Sequence, residues 1–209
     1  MDVNAKEMFK KICGLSETMA EMADLHEKMG LDEDFEVSSL LKIDIFCFLA
    51  YLAASDNIIS WNETRYISEL LDLNLTPNKL NELIIEKNIY STEFESKPPM
   101  MLQLFVALDN AIYESGAAID EELGSVLMKF YMVAGIGLVE SNGESVEDEE
   151  FTVKSDFEIY INMMRAYLEK NTLRHHTDII FNYSKNGYSK ENNVTKNGSG
   201  VVKAPKKKM

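Results

Sequence analysis

Cysteine, proline, glycine and histidine are all scarce in this sequence, with 2, 4, 10 and 3 of them among 209 residues. Two cysteines make neither a disulfide framework nor a zinc cluster, and Cys13 and Cys47 sit among apolar neighbours, where a thiol packs as a small hydrophobe. With so few prolines and glycines, little interrupts the long runs of Leu, Met, Glu, Lys and Ala, so local preference points to helices throughout. His26 and the adjacent His175 and His176 have no nucleophile beside them, and there is no phosphate loop and no dinucleotide fingerprint. The chain is therefore not expected to be an enzyme.

Also missing is any apolar run near the roughly 20 residues of a membrane span, and any N-terminal stretch with the features of a secretion signal. No membrane span and a cytoplasmic location are expected. Positive charge is short as well: 21 Lys and Arg face 35 Asp and Glu, a net of -14. The imbalance is uneven. From Thr172 onward, Arg174 and seven lysines face only Asp178 and Glu191, a net of +6, which leaves -20 on the rest of the chain. A body so acidic repels nucleic acid, whose binding rests on basic patches.

What is present is helical periodicity. The expectation is an all-α fold, a compact bundle of about seven helices in two pseudo-repeated halves with a disordered basic tail. Residues 1–37 read as a Met-rich helix and an acidic linker, 38–171 as the main helical domain with halves at about 38–90 and 98–171, and 172–209 as the flexible tail. The first helix, Ala5 to Met29, has a stripe of methionines that reads as core packing, though its apolar face can also pair with a copy of itself in a homodimer. The segment Leu40 to Ala53, capped by Ser38 or Ser39, is apolar almost all round and belongs at the centre. Ser60 and Glu63 form a capping-box signature, and Thr76 followed by Pro77 starts another helix. Thr92 caps a short turn, Pro98 and Pro99 precede a helix ending at Gly116, Asp120 opens the next, and Val146 to Lys170 forms the last.

The stretch from Leu52 to Asn57 can be laid over Leu138 to Gly143 at a constant offset of 86, which also sets Glu63 on Glu149. In each copy an apolar helix leaves through a polar turn able to take left-handed backbone angles at Asn57 or Gly143. The run Phe48 to Glu63, FLAYLAASDNIISWNE, resembles the signature of TerB-like (tellurite-resistance) domains, in which an alanine-rich helix leads into Asp-Gly, an isoleucine, a serine cap and a glutamate. The resemblance covers about residues 40 to 170 and implies a helical bundle of two pseudo-symmetric halves. It also implies an acidic site for a divalent cation at Asp56 and Glu63, with Asn57 standing where the family has glycine and Asn142 where a second aspartate is expected.

The residues themselves leave two readings of that site open. Asp56 and Glu63 can converge on one hard cation, with Asn142 and Glu149 as a second pair of oxygens. Equally, Asp56 accepts hydrogen bonds from its own turn while Glu63 closes a capping box. The acidic run from Glu144 to Glu150 suits the first turn of a helix, ahead of a second cation site or a docking surface for a basic partner, and Trp61 reads as a helix-end aromatic pinned over the core, ahead of an exposed anchor for a partner. The lysines around Pro205 read as a solvated tail, ahead of contact with an anionic membrane surface or folding back on the acidic body. The expected function is a helical interaction module of a bacterial stress-response or defence-type assembly, acting with a protein partner; an AAA-type ATPase is the partner that the resemblance implies. A cation-binding sensor is the alternative, and a metal-assisted hydrolase on the same carboxylates a third.

Overall fold

The computed structural model describes residues 3–22, 36–116, 121–143, 152–173 and 202–203. Among them are seven helices of ten residues or more: α1 (Val3–Met22), α2 (Val37–Ala53), α3 (Trp61–Leu71), α4 (Pro77–Glu86), α6 (Met100–Glu114), α7 (Leu123–Ser141) and α8 (Thr152–Asn171). A single turn, α5 (Thr92–Glu95), precedes α6, and two-residue strands β1 (Ile58–Ile59) and β2 (Val202–Lys203) pair antiparallel. The fold is all-α, with this short ladder its only described strand pairing.

Two helices form the centre. α2 packs on α1, α3, α4, α6, α7 and α8, and α7 on α1, α2, α3, α6 and α8. Their contact is aromatic: the Phe48 ring lies 5.0 Å from Tyr131 and 5.0 Å from Tyr160 of α8, both centroid distances favourable for ring packing. Leu41, Ile45, Phe48, Leu49 and Leu52 of α2 are wholly buried, as its apolar pattern predicts; Ile43 is exposed. α7 is long and apolar enough, by length and composition, to cross a membrane, an exception to the sequence expectation; 67% of that stretch is buried inside the fold, so core packing accounts for its apolar character. α1 joins the same core through Ala5, Phe9, Ile12 and Met19, with Phe9 stacked 5.6 Å from Phe130.

Three helices begin without a cap of their own and borrow one. No local side chain caps α2, α6 or α7, so their first N–H groups need acceptors from elsewhere. Glu17 of α1 accepts from Val37 (3.3 Å) and Ser38 (2.7 Å), Asp44 of α2 accepts from Met101 (2.7 Å), and Asp109 of α6 accepts from Leu123 (2.8 Å) and Gly124 (2.9 Å). Each negative charge also sits at the positive end of a helix dipole. Burial pushes the Asp44 carboxyl up to about 6, against the pull of the Met101 and Met100 N–H groups.

The borrowed caps displace several expected ones. Ser38 lies inside α2, whose N-cap position is Glu36, and the N-cap of α7 is Glu122. α5 is capped by Ser91, which accepts from Phe94 N–H at 3.2 Å, in place of Thr92. The ends expected at Met29 and Gly30, the opening at Asp120, His26, the acidic run from Glu144 to Glu150 and the pair His175 and His176 lie outside the described residues. So does the tail expected to be disordered, apart from Thr172, Leu173 and β2.

The doubled architecture is visible in backbone detail. α2 and α7 start at Val37 and Leu123, 86 residues apart, and the two-oxygen carboxylate caps fall on equivalent residues, Val37 and Ser38 against Leu123 and Gly124. Both helices leave through turns with a left-handed residue, Asn57 (φ 64°) and Gly143 (φ 77°), again 86 apart.

Candidate functional site

The first turn is assembled from local geometry. Asp56 Oδ1 accepts the Ile58 N–H at 2.8 Å, an Asx turn that steers the chain out of α2, while Asn57 takes the left-handed angle that asparagine tolerates. Ser60 then caps α3 in a complete capping box: its hydroxyl accepts the Glu63 N–H at 3.1 Å, and Glu63 Oε2 accepts the Ser60 N–H at 2.8 Å. The hydroxyl donates in turn to Asn142 Oδ1 at 2.6 Å, which fastens the first turn to the second across 82 residues of chain.

Three of the four residues singled out from the sequence thus come together: Asp56, Glu63 and Asn142. Glu149 lies outside the described residues. Glu63 is buried, and its carboxyl is pushed up to about 8, first by loss of water and then by the nearby Asp56 charge, while Ser60 N–H and the Ser60 and Asn142 side chains pull it down. Near neutral pH the group is therefore largely a neutral acid. Asp56 is half-buried, and its pKa is raised chiefly by desolvation. A cation here would have to drive a proton off Glu63 and replace capping bonds already made. Among the described residues no three His, Cys, Asp or Glu side chains form a set able to hold a metal ion.

Beside the turn lies an arrangement that sequence reasoning missed. Tyr51 donates to Glu95 Oε2 at 2.7 Å, and Tyr90 donates to Asp156 Oδ2 at 2.9 Å and, more weakly, to the Ser55 carbonyl at 3.4 Å. The two rings pack 5.5 Å apart, with Phe94 5.5 Å from Tyr51 and 5.6 Å from Tyr160. Burial, then hydrogen bonding to a carboxylate, raises both tyrosine pKa values, so both hydroxyls remain donors. These pairs clasp α5 and α8 to the end of α2. Nothing local in the sequence marks them, because the partners lie 44 and 66 residues apart.

Two large apolar side chains next to the turn are exposed. Trp61 is 50% exposed and Ile58 42%, so Trp61 is not pinned over the core as expected. The buried face of α3 runs through Glu63, Thr64, Ile67, Leu70 and Leu71, and helical spacing turns position 61 away from it. Cys13 and Cys47 are half-buried thiols pushed up to about 11 by loss of water, which leaves them unreactive near neutral pH. Compared with protein-family models, with curated proteins and with solved structures, the chain matches none.

Proposed function

We propose that the chain is a non-catalytic helical module that binds a partner protein through the surface beside its first turn. One observation carries this reading: the polar residues of the turn are engaged with one another, whereas Trp61, the neighbour of Ser60, is half in water and Ile58 is exposed as well. A capped helix start fixes the Trp61 backbone, which lowers the cost of ordering its side chain on binding, and aromatic anchors dominate interface energetics. The acidic charge outside the tail suits a basic protein surface and disfavours nucleic acid.

The TerB-like resemblance supplies the proposed setting, a bacterial stress-response or defence-type assembly with an AAA-type ATPase as partner; it is an argument from likeness. A homodimer would need a surface other than the apolar face of α1, which is used within the chain. The test is affinity capture from native extract with the intact protein and with Trp61→Ala. Stoichiometric recovery of a protein that the variant loses is the expected outcome. Identical recovery by both, or none by either, contradicts the proposal.

A second reading, a divalent-cation sensor, is favoured by the convergence of Asp56, Glu63 and Asn142. Binding would expel the Glu63 proton, so calorimetric heat should vary with the ionisation enthalpy of the buffer. No heat with calcium, magnesium, manganese or zinc ends this reading.

A further inference from the structure

β2 lies against the turn that the proposed function uses. Val202 pairs with Ile59 and Lys203 with Ile58, and β2 also packs against α4. We propose that the β1 edge is a docking site for an extended peptide of β-branched and basic residues, and that the chain's own Val202 and Lys203 are its resident ligand, held in cis and displaced by a partner segment of the same chemistry. The inference rests on the interaction-module reading and adds to it the kind of segment recognised.

Three observations support it. Pairing with β1 is backbone pairing, the mode in which an exposed strand edge takes an added strand. The register sets Lys203 opposite Ile58, two positions along from Asp56, and Lys206, Lys207 and Lys208 follow in a sequence whose remainder carries -20. The ladder is two residues long and leaves Ile58 and Trp61 exposed even with β2 in place. So short a pairing owes its occupancy to covalent tethering, which gives the tail a high local concentration. An incoming strand that also covers Ile58 and Trp61 makes contacts the resident does not.

The experiment uses a fluorescently labelled peptide with the sequence of residues 200–209, titrated into the full chain and into the full-length Val202→Asp/Lys203→Glu variant. The variant should keep the wild-type circular dichroism and bind the peptide at least about tenfold more tightly than the wild type, whose own tail competes. A peptide carrying the same two substitutions should not bind. Equal binding to both proteins, or binding to neither, overturns the proposal, as does a wild-type dimer in light scattering that the variant abolishes, which would mean that the tail is exchanged between copies. No partner enters these measurements, so they can fail while Trp61-dependent capture succeeds, and the reverse.

Discussion

Asp109 and Gly124 are joined by a hydrogen bond of 2.9 Å from the Gly124 N–H to Asp109 Oδ2, and the other carboxylate oxygen takes the Leu123 N–H. A Cβ on Gly124 would fall 2.7 Å from Leu168 Cδ2 and 3.2 Å from Val106 Cγ2, so glycine lets α6 and α8 pack closely against this end of α7. Glu17 serves Val37 and Ser38 in the same way at the start of the first half. The two halves are thus closed by carboxylates reaching across from the preceding helix.

Asp109→Ala should destabilise the protein by about 2–4 kcal/mol, since it removes a charged cap and orphans two buried N–H groups. Asp109→Asn, which keeps one acceptor, should cost less, and Glu17→Ala, at a more exposed site, about 1–2 kcal/mol. Urea unfolding of the three variants checks the order.

The positions of such caps explain what the sequence did and did not disclose. The capping box at Ser60 and Glu63, the start at Thr76 and Pro77, and the left-handed turns at Asn57 and Gly143 depend on neighbours within a few residues, and all were legible. The starts of α2, α6 and α7 depend on Glu17, Asp44 and Asp109, whose partners are 14 to 57 residues away, so local signals pointed to Ser38 or Ser39 for α2 and to Asp120 for α7 instead. At the site, Asp56, Glu63 and Asn142 could be singled out from the turn pattern and the repeat. The hydroxyl link from Ser60 and the tyrosine–carboxylate pairs could not, because they arise only when α2, α5, α7 and α8 pack.

Glycines in the helices should respond in opposite directions. A Cβ on Gly135 would lie 2.5 Å from Phe157 Cε2 and 3.1 Å from Phe48 Cζ, whereas one on Gly14 meets nothing within 4 Å. Gly135→Ala should therefore cost about 1–3 kcal/mol by overpacking, and Gly14→Ala should gain about 0.5–1 kcal/mol from helix propensity. Thermal unfolding of both variants tests this, and the same sign for both would be inconsistent with the packing described.

The link between the halves can be isolated by a double-mutant cycle. Ser60→Ala should cost about 1–2 kcal/mol as a lost cap, and combining it with Asn142→Ala should reveal a coupling of about 0.5–1.5 kcal/mol. Additive effects would mean that the hydroxyl bond contributes nothing.

Stability should also fall as pH rises through the neutral range. The folded value for Glu63, about 8, lies above its ordinary 4.5, so folding takes up a proton between those pH values. By linkage the chain is more stable at the acid end of the window and loses up to about 1.4 kcal/mol per pH unit on the way up, until Glu63 ionises in the folded state. Asp44 adds the same sign between its ordinary 3.8 and about 6. In Glu63→Gln, which keeps an acceptor for the Ser60 N–H, the slope above pH 6 should flatten; an unchanged slope would show that Glu63 is not its source.

On the proposed reading, the turn's polar residues hold the fold while the adjacent Trp61 binds the partner. Melting temperature and affinity for the captured partner, measured side by side on Trp61→Ala and Asn142→Ala below both melting points, test it most directly. The first variant should keep its melting temperature and lose affinity, and the second should melt lower and keep affinity; the reverse pattern would overturn this reading.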